Sequence, residues 1–129
     1  MVRNRTILVI EQETSIAAGL KSILEKEGYS VISTYSSQRL KEVSSDGKPD
    51  LAIIDIKLPR EFGLNILRKI KELFPKMPII AMSVYSNSLS VNELRRLGAS
   101  EFITKPFDVE RLKAKIGQLL KRKSEPVNS

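Results

Sequence analysis

The run from Leu51 to Asp55, Leu-Ala-Ile-Ile-Asp, constrains the fold of this chain more than any other stretch. Four apolar residues lead straight into a carboxylate, and Pro59, four residues later, prevents the strand from continuing. A short unbroken apolar run is typical of a strand covered on both faces, as in a parallel sheet. Because a charge is unfavourable inside such a strand, we predict that Asp55 lies at its carboxyl end, the edge where open α/β sheets bind ligands. Asp55 is therefore the first candidate functional residue.

Length and composition narrow the class of protein. A chain of 129 residues has room for one domain with one core, and 41% hydrophobic with 29% charged residues is ordinary for a globular protein. No apolar run approaches the roughly 18 residues that span a bilayer. The apolar block Ile7–Ile10 behind Arg3 and Arg5 is too short for a signal peptide. We therefore expect a cytoplasmic protein that does not interact with membranes.

Two residue types are missing, and their absence excludes several chemistries. Without Cys the chain has no disulfides and no thiolate metal site. Without His it has no imidazole to act as a base, a zinc ligand or a phosphate carrier, so that chemistry must come from a partner.

The net charge of +7 raises nucleic-acid binding through the last helix and tail as a function. The Lys and Arg residues, however, are spread over several segments without an aromatic stacking platform. The one run, Lys121-Arg122-Lys123, ends a predicted helix, where cations favour the macrodipole. Nucleic acid is therefore not expected as a partner of this domain alone.

Apolar strand patterns alternate with helical patterns along the chain. The predicted strands are Thr6–Ile10, Val31–Tyr35 at an edge, Leu51–Asp55, Ile79–Met82 and Glu101–Thr104. The first predicted helix is capped by Thr14 or Ser15 and stopped by Gly28, and the second covers Ser37–Val43. The third lies between a Pro59–Gly63 loop and Pro75. The fourth contains Leu89 and Leu94 and stops at Gly98, and the fifth is capped by Asp108. This pattern predicts a flavodoxin-like, doubly wound α/β fold with five helices and a five-stranded parallel sheet in the order 2-1-3-4-5. Residues 1–123 would form the domain and 124–129 a polar tail or the start of a linker.

Polar side chains are predicted to converge at the carboxyl edge of this sheet. Glu11 and Asp55 would face each other across the crevice, with Ser83 and Lys105 beside them. Two adjacent carboxylates repel, and either Mg²⁺ or the Lys105 ammonium would compensate them. With a Ser83 hydroxyl to donate a hydrogen bond, the arrangement suits a phosphoryl group, and Asp55 would be the nucleophile that forms an acyl phosphate.

These residues resemble, over essentially the whole chain, the receiver domain of two-component response regulators. The matching pieces are the acidic turn Glu11-Gln12-Glu13, Asp55 with Pro59 and Gly63 behind it, Ser83 after a hydrophobic strand, Phe102, and Lys105-Pro106. The resemblance implies a signalling switch rather than a metabolic enzyme. Asp55 would accept phosphate from a phosphohistidine on a sensor histidine kinase or phosphotransfer protein, and Ser83 and Lys105 would contact the phosphoryl group.

The resemblance also implies a metal site and a switch. Mg²⁺ would be held by the acidic turn (Glu11 and Gln12), Asp55 and the backbone carbonyl of Lys57. The bond before Pro106 would be cis. Ser83 would move toward the phosphate and let Phe102 turn inward, which would remodel the surface of helix four, strand five and helix five.

The acidic turn departs from the family pattern, which usually has two adjacent acids. Gln12 carries no charge and Glu11 is one methylene longer than Asp, so Mg²⁺ binding should be weakened. The Lys57 ammonium could approach the phosphoryl group or replace part of the missing charge balance. A pseudo-receiver, acting as a phosphorylation-independent interaction module, is therefore the alternative function. A nucleotide-binding enzyme is disfavoured because the first strand–helix turn lacks a Gly-rich cradle. The kinase, the output partner or output domain, and whether the chain stands alone stay open.

Overall fold

A computed structural model describes residues 5–34, 37–46, 48–56, 60–84 and 91–124. The strands are β1 (Thr6–Ile10), β2 (Ser30–Thr34), β3 (Leu51–Asp55), β4 (Ile79–Val84) and β5 (Glu101–Lys105). The helices are α1 (Thr14–Lys26), α2 (Ser37–Asp46), α3 (Arg60–Leu73), α4 (Val91–Arg96) and α5 (Val109–Ser124). All strand pairs are parallel and the order is β2-β1-β3-β4-β5, so the predicted flavodoxin-like fold is confirmed. No helix in these ranges is long and apolar enough to cross a membrane.

Helices cover the sheet on both faces, and β3 runs through the middle with all five residues buried. Ala52 and Ile54 face one core cluster, whereas Leu51 and Ile53 face the other. The first cluster takes in Leu40 of α2 and Leu64, Leu67 and Ile70 of α3. The second takes in Leu20 and Leu24 of α1 and Leu112 and Ile116 of α5. Because burying one such side chain is worth about 1.5–3 kcal/mol, this packing holds the ends of β3 firmly in place.

The register of the sheet determines which residues meet at its carboxyl edge. Ile10 pairs with Ile54, so Glu11 follows β1 at the level where Asp55 ends β3. On the other side of β3, Asp55 pairs with Met82, and β4 continues to Ser83. Val84 in turn pairs with Lys105 at the end of β5. The polar residues predicted from the sequence therefore leave the sheet at one edge.

Two helix starts differ from the prediction. Thr14 is the first residue of α1 and Glu13 precedes it without a side-chain cap, so the predicted cap by Thr14 or Ser15 is wrong. The chain turns one residue earlier because the Glu13 N–H donates to Oε2 of Glu11 at 3.2 Å. Helix α3 begins at Arg60, so residues 60–63 are helical rather than part of a loop. A single Gly63 costs only about 1 kcal/mol inside the helix.

Other predicted boundaries hold within a few residues. Asp108 caps α5 as expected, because its Oδ1 accepts the Glu110 N–H at 2.9 Å. Strand β4 continues two residues past its predicted end, to Val84, β5 continues one residue, to Lys105, and α2 continues to Asp46. Ser124, predicted to open the tail, is the last residue of α5. Tyr35, Pro59, Leu89 and residues 125–129 lie outside the described ranges.

The turn between α4 and β5 is held by a lysine of α3. Gly98 has φ +116°, in the left-handed region. A Cβ at this position would lie 2.6 Å from Cγ of Lys71, whose Nζ donates to the carbonyl of Met77 at 3.0 Å. Burial lowers the pKa of Lys71. The lysine stem therefore fills the space that a side chain at position 98 would need.

Candidate functional site

Glu11, Asp55 and Lys105 form one connected cluster at the carboxyl edge of the sheet. Glu11 is 3% exposed and Asp55 is 9% exposed. The Nζ atom of Lys105 lies 2.9 Å from Oδ1 of Asp55 and 3.2 Å from Oε1 of Glu11. Because β4 separates β3 from β5, the lysine side chain reaches across a whole strand to make these contacts. The predicted meeting of these two acids with an amine is thus seen directly.

The backbone turn after Glu11 directs its carboxylate into the cluster. The Lys105–Pro106 peptide is cis, as expected from the resemblance. Oε2 of Glu11 accepts the Glu13 N–H, which leaves Oε1 for the lysine. The first turn after β1 therefore orients the carboxylate, a role that the sequence analysis missed. An acid three residues before the first residue of α1 was the available signal.

Burial dominates the electrostatics of Asp55. Desolvation raises the pKa of this carboxyl above its ordinary value of 3.8; the hydrogen bond from Lys105 opposes the shift and the charge of Glu11 adds to it. Two acids facing one ammonium leave the cluster with one excess negative charge when all three groups are ionised. The cluster therefore favours an additional cation.

Ser83 lies on β4 beside Asp55, one residue beyond the register partner Met82, and is 1% exposed. It takes the opposite side of the strand from Met82, which packs in the cluster with α1 and α5. Phe102 is partly buried and packs against the other core cluster. Gln12 is exposed beside Glu11. Lys57 falls in a gap between the described ranges.

The oxygen atoms at this edge fit Mg²⁺, although with little charge. Mg²⁺ prefers hard oxygen ligands and keeps several of its waters. Glu11 and Asp55 supply two carboxylates, and Gln12, the residue after Glu11, carries a neutral amide. In the part of the chain that the structure describes, no group of three or more His, Cys, Asp or Glu side chains is arranged to hold a metal. The described donors at this edge carry one negative charge fewer than two adjacent acids and Asp55 would give.

Comparison of the sequence with known proteins identifies relatives along most of its length. The model of the response regulator receiver domain matches residues 7–117. The transcriptional regulatory protein DltR of Streptococcus agalactiae is 36% identical over 110 residues, which cover 85% of this chain and 49% of DltR. The DNA-binding transcriptional regulator NtrC of a Bradyrhizobium species is 33% identical over 124 residues, or 96% of this chain and 26% of NtrC. The chain thus spans a half or less of these two regulators.

Other relatives match over nearly their full length. Sporulation initiation phosphotransferase F of Bacillus subtilis is 27% identical over 94% of this chain and 98% of its own. Among solved structures, a CheY-like response regulator receiver domain from Methanospirillum hungatei superposes with a TM-score of 0.81 at 30% identity, covering 93% of this chain and 96% of the other. A response regulator from Thermotoga maritima gives 0.80 at 26% identity, covering 92% and 99%. With the fold and the acidic cluster, these matches show that the chain belongs to the response regulator receiver domains of two-component systems.

Proposed function

We propose that this receiver domain is a switch that accepts a phosphoryl group on Asp55 from a phosphohistidine of a sensor histidine kinase or phosphotransfer protein. The observation that carries the proposal is the buried cluster in which the Lys105 ammonium lies 2.9 Å from Asp55 and 3.2 Å from Glu11. The donor histidine lies outside these 129 residues, which contain no His.

In the proposed reaction a carboxylate oxygen of Asp55 attacks phosphorus. The new bond is the P–O bond of an acyl phosphate, the P–N bond of the donor breaks, and the imidazole leaves with its electron pair and takes up a proton. Lys105 neutralises charge on the phosphoryl oxygens, and Ser83, on the neighbouring strand, donates a hydrogen bond to one of them. Glu11, Gln12 and Asp55, with the Lys57 carbonyl, would hold Mg²⁺, which supplies further neutralisation of the phosphoryl charge.

The proposed output is a change in the surface of α4, β5 and α5. Ser83 is the next-to-last residue of β4, the strand that precedes α4, and Phe102 lies on the neighbouring strand β5, paired with Ala81. Phe102 is partly exposed and packs against a core cluster, so its ring has both a buried and a solvent side. A movement of Ser83 toward the phosphoryl group would change the space available to that ring.

Mass spectrometry tests the proposal. Incubation with acetyl phosphate and Mg²⁺ should add one phosphoryl group to the wild-type chain and none to Asp55→Asn. Asp108→Asn is the matched control, because Asp108 is exposed and Asn caps a helix equally well; this variant should be modified like the wild type. No mass gain over a long incubation in excess Mg²⁺ would contradict the proposal and favour a phosphorylation-independent interaction module.

A further inference from the structure

We propose that a second site, at the edge of the sheet opposite Asp55, binds a small organic anion with an apolar body. The site is a cleft of about 380 Å³ between the segment that enters β3 and the segment that joins α3 to β4. This volume lies within the range of small-molecule sites. The apolar lining includes Pro49, Leu73, Phe74 and Met77.

Hydrogen bonds hold the walls of the cleft in shape. Phe74 and Met77 are buried, and the Met77 N–H donates to the Phe74 carbonyl at 3.1 Å to close the turn. The Met77 carbonyl accepts from Nζ of Lys71 at 3.0 Å. The Pro78 carbonyl accepts from the Ala52 N–H of β3 at 3.1 Å, which joins this segment to the sheet. A ligand would therefore enter a preformed cleft, and little free energy would be lost in ordering it.

The rim of the cleft is positively charged. Lys48 and Lys76 line it and are exposed, and no acidic side chain accompanies them among the described residues of the lining. Two acids adjoin the lining along the chain. Glu72 is exposed and is not part of the lining. Asp50 accepts the Thr6 N–H at 2.8 Å and has Arg5 3.9 Å away. Its charge is thus directed to the start of β1. Two ammonium groups beside an apolar floor match a ligand that has a negative group at one end and a hydrophobic ring or chain at the other.

The cleft is independent of the proposed phosphorylation site. Its residues lie at the amino ends of β3 and β4, whereas Asp55 ends β3. A strand of five residues separates the two edges by about 16 Å. Binding in the cleft should therefore be the same in wild type and in Asp55→Asn, so the two proposals can fail separately.

Titrations followed by backbone amide NMR shifts test the site with three probes. 2-Naphthoate has both an apolar ring system and a negative charge, 2-naphthalenemethanol has the ring system alone, and acetate has the charge alone. We expect 2-naphthoate to give saturable shifts confined to the backbone N–H groups of Lys48, Leu73, Phe74, Lys76 and Met77, and both other probes to bind at least about fivefold more weakly. Equal binding of the alcohol, or no saturation by 2-naphthoate, would overturn the proposal.

Charge-removing variants test the part played by the rim. Lys48→Gln with Lys76→Gln should weaken 2-naphthoate binding about fivefold or more, since each exposed ion pair contributes modestly. Lys26→Gln removes an exposed lysine from α1 and should leave the affinity unchanged. Unchanged 2-naphthoate affinity in the double variant would refute the proposed contribution of the Lys48 and Lys76 charges to binding. Saturable shifts with an acidic aromatic peptide, but none with 2-naphthoate, would assign the cleft to a protein partner and refute a small-molecule site.

Discussion

At the scale of single residues, Asp55 costs stability because its charge is buried. Burial raises its pKa in the folded chain above the ordinary 3.8, so the folded state binds the proton more tightly than the unfolded state. The stability contributed by this group is therefore fully present below the unfolded pKa and is lost as pH rises through the raised folded pKa. Ionising this carboxyl in the folded chain therefore costs free energy.

Asp55→Asn is accordingly expected to stabilise the metal-free chain at pH 7 by about 1 kcal/mol, the usual size of a stabilising substitution. Lys105 would keep Glu11 as its partner, so no buried ammonium is left alone. Urea unfolding with EDTA from pH 7 down to about 4 should show the gain shrinking as pH falls. Asp108→Asn is the surface control and should change stability by less than about 0.5 kcal/mol. A variant no more stable than wild type at pH 7 would contradict this account.

Gln12 determines how much negative charge the magnesium site contains. It is exposed next to the buried Glu11. Gln12→Asp should tighten Mg²⁺ binding roughly tenfold, because one added charge near a divalent cation is worth at least about 1.4 kcal/mol at the surface of a protein. Chemical-shift titration with MgCl₂ measures this change in Mg²⁺ affinity. Gln118→Asp places the same charge on an exposed position of α5 and should leave the affinity as in wild type; an equal gain there would mean that net charge alone is responsible.

At the scale of elements, the contact of Lys71 with Gly98 joins α3 to the turn between α4 and β5. A Cβ at position 98 would meet Cγ of Lys71 at 2.6 Å and would also have to adopt φ +116°. Both the contact with Lys71 and the positive φ oppose a side chain at position 98. Because the lysine also bonds the Met77 carbonyl, it cannot move away without losing that hydrogen bond.

Gly98→Ala should therefore destabilise the domain by about 1–3 kcal/mol. Lys71→Ala combined with Gly98→Ala should cost less than the sum of the single variants, because removing the lysine stem relieves the steric part. Gly19→Ala, in α1 with no atom within 4 Å of its added Cβ, is the control and should stabilise by about 0.5–1 kcal/mol. Strict additivity in urea unfolding would exclude the steric contact.

At the scale of the whole molecule, the sheet separates two cores that share only the backbone of the strands. Ile70 of α3 belongs to one cluster and Ile116 of α5 to the other, and both are 0% exposed. Ile70→Val and Ile116→Val should each cost about 1 kcal/mol, and together about 2 kcal/mol, since distant sites add to within about 0.5 kcal/mol. A coupling above about 1 kcal/mol in a double-mutant cycle would show that strain passes through the sheet.

The sequence predicted the types and order of the elements because apolar periodicity reflects which faces are buried. It also predicted that Glu11, Asp55 and Lys105 would meet, because parallel strands share one carboxyl edge. The start of α1 could not be read from residue type, because the carboxylate of Glu11, just after β1, accepts the Glu13 N–H, and Thr14 and Ser15 do not cap the helix. The cleft beside Lys48 and Lys76 was equally hidden, because two loops distant in sequence create it.

The bond between Glu11 and Lys105 joins residues 94 positions apart. A ribosome must therefore release almost the whole domain before an amine can reach the two acids. Until then a nascent chain has a first turn and a central aspartate without the Lys105 ammonium. Under the proposed function, partly synthesised copies should consequently compete poorly with finished protein for the phosphoryl donor.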